Sequence, residues 1–477
     1  MLSLHDPENS AFKYRNSWYR IATTESASAL LALSNSSLLD ELYRRHKIVR
    51  FEHVSRTKAN EVLDAFAGDS ALADRKSLEV FKVDTFKLIT YPWEWTNEYL
   101  FAAGELTIEL RKSLLEIGLD LKDASAFNIQ FGVNGPCLID LGSIEKWKPN
   151  IVWPASRQFV EHFLNPLVIG SRRRIASADA WEMSRKGGMS SSVARNLMTL
   201  KSKFFPTIAI LQWMTEPRES SEEKTVFYAK EKDNAMLLKA NNKLNNRLLK
   251  SLSIVKSLEK ITTWSNYGDR EHYTAEELDL KILQSIDFIK NLSNEYGVVI
   301  DVGGNDGKIA SKISEELNVF VVVMDQDVGA LENISREQNL NKNIPKMVMP
   351  IIGNLMTATN TYGLLNREFD SFFDRMKPKA LLCQAVLHHV VITQAIPLKY
   401  VVEALASFQC PIQIEFVLEY DEKVKLLQGM INNWTGEYSL EALVRELGKH
   451  FSNIKIGEKI TDTRILVYAS EAIIESV

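Results

Sequence analysis

The stretch Val298-Val-Ile-Asp-Val-Gly-Gly-Asn-Asp-Gly307 decides the fold of the C-terminal part of this 477-residue chain. An apolar segment leads directly into Asp301 and then into small residues that turn tightly, and Lys308–Leu317 continues with a helical pattern. Gly303 and Gly307 allow the backbone to approach a ligand closely, and the N-terminus of the helix offers unpaired N–H groups. The stretch therefore predicts a strand, a ligand-binding turn and a helix.

The residues around this stretch alternate between predicted strands and helices. Five apolar segments have the pattern of strands: Val298–Val302, Val319–Asp325, Lys346–Ile352, Lys379–Gln384 and Pro411–Leu418. Two further segments, Ile454–Ile456 and Arg464–Tyr468, are expected to close the sheet as an antiparallel pair. Repeated strand–helix units imply a parallel sheet covered on both faces. We therefore expect an α/β domain with a Rossmann-like sheet over residues 262–477.

The spacing of acidic and small residues indicates the kind of ligand. The pattern is D-x-G-x-N-x-G, in which Asp301 ends the first strand and Asn305 stands inside the turn. A negative charge there is unfavourable beside a pyrophosphate but suits a cationic or amino-acid group. Asp325 ends the second strand, where an acidic residue usually accepts hydrogen bonds from ribose hydroxyls. These residues favour S-adenosylmethionine over NAD, and hence a class I methyltransferase sheet.

Polar residues at the ends of the later strands complete the predicted site. Asn354 follows the third strand and is placed to contact adenine, and Gln384 ends the fourth strand, where the methyl donor and acceptor meet. Methyl transfer is an in-line displacement, so the enzyme aligns the reactants and supplies a base for a hydroxyl or amine acceptor. The candidate catalytic residues are His388, His389 and Glu415; the alternative is that the histidines pack or bond to backbone.

Several segments resemble a known family. Val298–Gly307, Ala380–Ile392 and Ile414–Val417 are similar to bacterial class I methyltransferases related to a rhizobial nodulation (host-specificity) protein. The resemblance extends to Tyr91–Trp95 and Arg157–Leu164 and therefore covers nearly the whole chain. It implies S-adenosylmethionine as the cofactor and leans towards a saccharide or another secondary metabolite as the methyl acceptor.

Aromatic residues before the predicted sheet belong to the same resemblance. The stretch Thr262-Thr-Trp-Ser-Asn-Tyr267 and the following Tyr273 are similar to that family. The resemblance implies that Trp264 and Tyr267 form part of a lid over the cofactor.

Residues 1–170 carry a different set of polar residues. Asp123 and Asn128 are five residues apart, and Asp140 lies twelve residues further on. Protein kinases place a catalytic Asp five residues before a metal-binding Asn, and a second metal-binding Asp in the D-F-G motif. An Asn134-Gly135 step between the last two residues predicts a hairpin. The spacing predicts an α+β kinase-like domain in which these three residues bind a nucleotide or its metal ion.

Three features speak against phosphoryl transfer. Residues 1–67 contain no glycine and hence no Gly-rich loop, and Leu121-Lys122 replaces the His-Arg that precedes the kinase Asp. No lysine stands out as a phosphate ligand, although Lys47 and Lys87 are candidates. A kinase-like or nucleotide-binding enzyme, a catalytically silent ligand-binding scaffold and a domain whose Asp and Asn residues cap turns stay open as alternatives.

Two local elements and a connector are also predicted in the first half of the chain. Thr85–Tyr91 has the pattern of a strand that ends at the following proline, and Glu98–Ile117 has that of a helix stopped by Gly118. Residues 171–261 are predicted to be a helical connector between the two domains.

Composition sets further limits on function. The 57 basic and 61 acidic residues give a net charge of −4, so no basic excess is available for nucleic acid. Three cysteines without a C-x-x-C pair suit a reducing compartment, and no signal peptide or membrane span is visible. We expect a cytoplasmic bacterial enzyme without a resident metal that acts on a small-molecule, saccharide or peptide acceptor. Neither nucleic acid nor a membrane is an expected partner, and nothing in the sequence indicates an oligomeric state.

Overall fold

The fold is taken from a computed structural model, which describes residues 8–66, 77–86, 88–149, 153–173, 175–184, 187–198, 208–209, 211–212, 234–255, 273–292, 297–339, 344–358, 361–366, 368–431 and 436–473. The chain divides into two units. The first comprises Met1–Leu258 and Gly363–Phe369, and the second comprises Glu259–Tyr362 and Asp370–Val477.

The first unit contains a four-stranded antiparallel sheet and two short strand pairs. Its strands are β1 (Asn9–Tyr14), β2 (Ser17–Thr23), β3 (Phe51–His53), β4 (Leu78–Val83), β5 (Leu119–Leu121), β6 (Ile129–Gly132), β7 (Gly135–Leu138) and β8 (Ile144–Lys146). The sheet has the order β1-β2-β4-β3, and the pairs are β5 with β8 and β6 with β7. The β6–β7 hairpin confirms the one predicted at Asn134-Gly135, with Val133 and Asn134 in its turn.

Helices make up much of the rest of the first unit. They are α1 (Thr24–Ser34), α2 (Ser37–Arg44), α3 (Arg56–Ala65), α4 (Asn97–Glu116), α5 (Ser156–Phe159), α6 (Asn165–Arg173), α7 (Ser177–Met183), α8 (Ser191–Leu197) and α9 (Asn234–Val255). α4 confirms the predicted long helix, and the Thr96 hydroxyl caps it by accepting from the Tyr99 N–H. α6 crosses the predicted boundary at residue 170, and the boundary at residue 261 lies outside the described residues. The three-part division stays a prediction.

The strand predicted over Thr85–Tyr91 is wrong, because the described residues of this range are not in a strand. The Gln130 side chain is bonded to the backbone here. Its Oε1 accepts from the Thr90 N–H at 2.9 Å, and its Nε2 donates to the Thr90 carbonyl at 2.8 Å. The Gln130 amide thus occupies the backbone N–H and carbonyl of Thr90, which a neighbouring strand would otherwise bind. The strand that precedes this segment, β4, pairs with β2.

The second unit is built around a seven-stranded sheet. Its strands are β9 (Val298–Val302), β10 (Phe320–Asp325), β11 (Val348–Ile352), β12 (Ala380–Gln384), β13 (Ile412–Val417), β14 (Phe451–Thr461) and β15 (Arg464–Ala472). Its helices are α10 (Ala275–Lys290), α11 (Lys308–Leu317), α12 (Val328–Asn339), α13 (Phe372–Met376), α14 (Leu398–Ala406), α15 (Glu422–Met430) and α16 (Leu440–Leu447). The strand order is β11-β10-β9-β12-β13-β15-β14, with β9 to β13 parallel and the last pair antiparallel.

The central strands of this sheet are buried on both faces. Every residue of β9, β12 and β13 is buried, as expected for central strands covered on both faces. The apolar stripe of α10, which includes Ile282 and Ile286, packs in one core with Ile313 of α11 and Val321 of β10. The predicted α/β sheet is therefore confirmed. Among the described residues, no helix is both long and apolar enough to cross a membrane.

A buried charge cluster joins α4, β5 and α9 within the first unit. Arg111 is fully buried, and its Nε and Nη2 donate to the two carboxylate oxygens of Asp120 at 2.7 and 3.0 Å. Its Nη1 donates to Asn245 at 2.6 Å, and its Nη2 also donates to Asn241 at 2.7 Å. A buried charge is tolerated when it is paired and hydrogen-bonded. This arginine therefore fixes α9 against α4.

Arg111→Met should lower the free energy of unfolding by about 3–5 kcal/mol, because Asp120 would stay buried without its charged partner. Urea unfolding at neutral pH, followed by circular dichroism, measures this change. Arg45→Met is the matched control: it removes an exposed pair with Glu41 and should cost less than about 1 kcal/mol. Equal effects of the two substitutions would contradict the role assigned to the buried pair.

Candidate active site

A cavity of about 370 Å³ opens at one edge of the seven-stranded sheet. The strand order reverses beside β9, which has β10 on one side and β12 on the other. In an open α/β sheet, the loops at the carboxyl ends of such strands diverge and leave a crevice for a ligand. Residues that follow β9, β10 and β12 line this cavity. Its volume lies in the range of small-molecule sites, roughly 300–1,000 Å³.

The turn after β9 brings backbone and carboxylate together at the cavity. Gly303 has φ +69°, and a Cβ there would overlap Val386. A Cβ on Gly304 would lie 2.6 Å from Oδ2 of Asp301, whose buried side chain lines the cavity. The two glycines therefore leave space for the carboxylate beside a tight turn. Gly307 begins α11 and is not among the described residues that line the cavity.

Asp325 holds the second acidic position of the site. One carboxylate oxygen accepts from the backbone N–H of Asn305 at 3.0 Å, and the other accepts from the N–H of Asp327 at 2.8 Å. Burial raises the pKa of Asp325, and these backbone hydrogen bonds oppose the increase. The carboxylate thus fixes the turn after β9 to the end of β10, and it keeps acceptor capacity for a ligand hydroxyl.

The structure brings most of the predicted site residues together. Those that line the cavity are Asp301, Gly303, Asn305, Asp325, Gln384, His388 and His389. The predicted lid residues Trp264 and Tyr267 lie outside the described residues. Tyr273, which follows them, also lines the cavity.

Asn354 does not line the cavity, in contrast to its predicted contact with adenine. It caps the turn after β11, where its Oδ1 accepts from the Met356 N–H at 2.9 Å. Its Nδ2 donates to Oε1 of Gln326 at 3.1 Å, and Gln326 does line the cavity. Both ends of the Asn354 amide are therefore used within the protein, and the residue positions Gln326.

Gln384 lines the cavity, and its side-chain amide is held by hydrogen bonds. Its Nε2 donates to Oγ of Ser285 at 2.8 Å and to Oε1 of Gln413 at 3.2 Å, which fixes the orientation of the amide. Its Oε1 is buried and has no hydrogen-bond partner among the described residues. An unsatisfied buried acceptor costs about 1–3 kcal/mol, so a ligand that donates a hydrogen bond here would be favoured.

His388 and His389 lie side by side on the helical turn that follows β12. Their ring centroids are 4.1 Å apart, and both residues line the cavity. Burial, together with the positive charges of Lys423 and Arg464, lowers the pKa of His389 to about 4. His389 is therefore neutral near pH 7, and its imidazole can accept a proton.

Glu415 is fully buried and does not line the cavity, which corrects the prediction that it faces the site. Its Oε2 accepts from Nζ of Lys281 at 2.5 Å, and its Oε1 accepts from the Tyr273 hydroxyl. Arg464 lies 3.5 Å from Oε1 and donates to the Tyr273 oxygen at 2.6 Å. Burial opposes ionisation of Glu415, but Lys281 and Arg464 hold its pKa below the usual range. Glu415 is a buried counter-ion in this arrangement.

The sequence reasoning missed three basic residues that line the cavity, Lys281, Lys423 and Arg464. Lys281 did carry a signal, because it stands on the buried stripe of α10 between Leu278 and Ser285. A lysine in such a stripe indicates a buried partner, since lysine is rarely buried alone. The other two gave no local signal. Arg464 reaches the cavity through the pairing of β15 with β13, and Lys423 does so through the placement of α15.

The β6–β7 hairpin brings the predicted nucleotide-binding residues together in the first unit. The Asn128 carbonyl accepts from the N–H groups of Ile139 at 2.8 Å and Asp140 at 3.5 Å. Burial raises the pKa of Asp123, the nearby amide of Asn128 opposes this change, and the charge of Asp140 adds to it. Asp123, Asn128 and Asp140 are thus neighbours. Within the described ranges, no three His, Cys, Asp or Glu side chains are grouped to hold a metal ion.

Arg20 of β2 is a cationic partner at this group of residues. Its Nη2 forms an ion pair with Oδ1 of Asp140, and that oxygen also accepts from the Gly142 N–H at 3.2 Å. The candidate Lys87 lies outside the described residues. The kinase-like interpretation of this unit stays a prediction.

The strand order and the crevice define the second unit as a Rossmann-like α/β domain. The chain is similar over most of its length to nodulation protein NoeA of Rhizobium meliloti (strain 1021). The two are 26% identical over 458 residues, which cover 94% of this chain and 90% of NoeA. The predicted resemblance to relatives of a rhizobial nodulation protein is confirmed. No protein-family model matches the chain.

Similar solved structures match part of the chain. Magnesium protoporphyrin IX methyltransferase (ChlM) from Synechocystis PCC 6803, with bound SAH, is 11% identical with a TM-score of 0.27, covering 41% of this chain and 83% of ChlM. Monomeric WbdD is 13% identical with a TM-score of 0.31, and the match covers 46% of this chain and 47% of WbdD. EvdMO1 is 13% identical with a TM-score of 0.29, covering 40% of each chain.

Glu415→Gln should remove a pH-dependent part of the stability. The pKa of Glu415 is about 4.3 in an unfolded chain and lower in the folded protein, so its stabilisation is present above about pH 4.3. This stabilisation is lost as the pH falls through the lowered folded pKa. The difference in free energy of unfolding between wild type and variant, from urea unfolding, should therefore be largest near neutral pH and shrink in acid.

Glu315→Gln provides the control, because Glu315 belongs to an exposed pair with Lys312 and should make a small difference at any pH. A difference for Glu415→Gln that stays constant from neutral to acid pH would contradict the buried ion pair.

Proposed function

We propose that the second unit is an S-adenosylmethionine-dependent class I methyltransferase that transfers a methyl group to an oxygen or nitrogen of a small molecule, saccharide or peptide. The observation that carries this proposal is the position of Asp301. Its carboxylate stands next to the end of β9, is buried beside Gly304 and lines the cavity at the crevice of the sheet. A negative charge at this place repels a pyrophosphate and attracts an ammonium or sulfonium group.

The residues around the cavity fit this cofactor. The Asp325 carboxylate is held in place by the N–H groups of Asn305 and Asp327 and keeps acceptor capacity for ribose hydroxyls. A side chain at Gly304 would fill the space beside Asp301, so the turn leaves that space to a ligand. These are the residues that would hold the cofactor.

When bound, S-adenosylmethionine supplies an electrophilic methyl group, so the protein has to align the acceptor and receive its proton. The Gln384 Oε1 can accept a hydrogen bond from the O–H or N–H of the acceptor, since no described residue donates to it. The neutral imidazole of His389 can take the acceptor's proton on a ring nitrogen. Glu415 is a positioning residue, because it holds Tyr273 and Lys281 at the cavity wall.

Asp301→Asn should weaken S-adenosylmethionine binding about tenfold to a hundredfold, because a hydrogen bond to a charged group contributes about 1.5–3 kcal/mol. Isothermal titration calorimetry of S-adenosylmethionine into wild type and variant measures the two dissociation constants. A methyl-transfer assay with labelled cofactor follows for the acceptors that bind.

Asp306→Asn is the matched control for this substitution. Asp306 stands in the same turn but does not line the cavity, and its carboxylate accepts from the Lys308 N–H at 3.2 Å. The control should bind the cofactor as wild type does. A wild-type protein that does not bind S-adenosylmethionine, or an Asp301→Asn variant that binds it unchanged, would overturn the proposed function.

A second candidate function concerns the first unit, as a nucleotide-binding enzyme or a ligand-binding scaffold. The observation in its favour is that Asp123, Asn128 and Asp140 are neighbours after the β6–β7 hairpin forms. In kinases, residues with this spacing hold the metal ions of the nucleotide. The ion pair of Arg20 with Asp140 would compete with such a metal ion for the same carboxylate.

On this alternative, the protein binds Mg-ATP, and Asp140→Asn abolishes that binding because it removes a charged metal ligand. Calorimetric titration of Mg-ATP into both proteins tests it, with Asp40→Asn on exposed α2 as the control that keeps wild-type binding. Absence of Mg-ATP binding in the wild type, or equal binding by Asp140→Asn, refutes the alternative.

A further inference from the structure

The charged residues that line the cavity are divided by sign and by position in the sheet. The acidic ones follow β9 and β10, and are Asp301, Asp325 and Asp327. The basic ones come from α10, α15 and β15, and are Lys281, Lys423 and Arg464. Arg464 lies opposite Val417 at the carboxyl end of β13, away from the strands that carry the acids. The proposed cofactor would bind on the side of the cavity that carries the acidic residues, its acidic half. The side that carries the basic residues, its basic half, is therefore the place for the methyl acceptor.

The acids near the basic half balance part of its charge. Glu415 binds Lys281 at 2.5 Å and lies 3.5 Å from Arg464, but it is buried and does not line the cavity. Asp421 also lies near Arg464, and its oxygens accept from a backbone N–H of α15 at 2.8 Å and from the Thr463 hydroxyl at 2.6 Å. It does not line the cavity either. The wall on this side therefore presents positive charge.

Arg464 and Lys281 are also almost fully buried, with side chains 7% and 4% exposed. Removing cations from water is costly, and an anion that enters the cavity would offset part of this cost. A hydrogen-bond donor on the same ligand would in addition satisfy the Gln384 Oε1, which has no partner among the described residues.

The neighbouring base responds to the same charges. Burial lowers the pKa of His389, and the charges of Lys423 and Arg464 lower it further. An anion bound beside the two cations would offset their field at His389 and make its imidazole a better proton acceptor. Binding of a charged acceptor would thus prepare the residue that takes its proton.

We infer that the methyl acceptor is an anion, whose carboxylate or phosphate group binds the basic wall formed by Arg464, Lys423 and Lys281, and whose O–H or N–H meets Gln384. This inference rests on the proposed methyltransferase function and adds the class of its substrate. The shared chemistry is an anionic group next to a methylatable hydroxyl or amine.

The test uses the full chain saturated with S-adenosylhomocysteine, which has no methyl group to transfer. Orthophosphate and acetate are titrated into it separately by calorimetry, at constant ionic strength maintained with chloride. Wild type should bind at least one of the two anions. Phosphate binding alone assigns a phosphorylated acceptor, acetate binding alone assigns a carboxylate, and binding of both supports the shared chemistry.

Lys423→Glu should weaken this binding about tenfold or more, because it reverses one charge of the wall. Lys423 is chosen because Arg464 also supports Tyr273 and Glu415, so its loss could disturb folding. Lys425→Glu, an exposed change on the same helix, is the matched control and should bind as wild type does. A second measurement is the pKa of His389 by NMR, which should rise when the anion is added.

Two results would overturn the inference: neither anion binds the saturated protein, or Lys423→Glu binds like wild type. If the anions bind the protein without S-adenosylhomocysteine but not the saturated protein, the cations serve the carboxylate of the cofactor instead. A protein that does not bind S-adenosylmethionine would refute the proposed function, and titration of the unliganded protein with the same anions would then decide the inference by itself.

Discussion

The second unit depends on one constraint: β9 pairs in parallel with β10 on one side and with β12 on the other. Connections from these strands must diverge at the carboxyl edge, and the opening between them is the cavity. Hydrogen bonds within the protein hold this opening in shape. The Gly303 N–H donates to the Met324 carbonyl at 2.7 Å, and Asp325 binds the Asn305 N–H at 3.0 Å. The site is thus preorganised before a ligand arrives.

Desolvation of Glu415 imposes the second constraint. A carboxylate this deeply buried would take up a proton if it were isolated, and two cations keep it charged. Tyr273 lies between them, with Lys281 and Arg464 each 4.8 Å from its ring centroid. Arg464 also helps to keep His389 neutral. Arg464 therefore contributes to the ionisation of both the buried acid and the candidate base.

The parts of this site that could be predicted from sequence are those set by neighbouring residues. Asp301 and Asp325 end apolar strands, and such strands are recognisable because buried parallel strands are continuous apolar runs. Whether a residue lines the cavity or is buried behind it depends on contacts with residues that are distant in the sequence. Gln384 and Glu415 are paired neighbours on β12 and β13, yet Gln384 lines the cavity and Glu415 does not. Likewise, nothing near Thr90 indicates that Gln130, forty residues away, would bind its backbone.

Two acids predicted to act on ligands are both paired with distant cations, and their exposure separates their roles. Asp140 pairs with Arg20, 120 residues away, and Glu415 pairs with Lys281, 134 residues away. The Asp140 side chain is 30% exposed, whereas that of Arg20 is 12% exposed, so the carboxylate of this pair is reached by water more readily than its cation. Glu415 is fully buried, and losing Lys281 would leave a buried charge unbalanced at a cost of several kcal/mol. Asp140 therefore stays partly accessible to solvent, whereas Glu415 belongs to the framework that shapes the cavity.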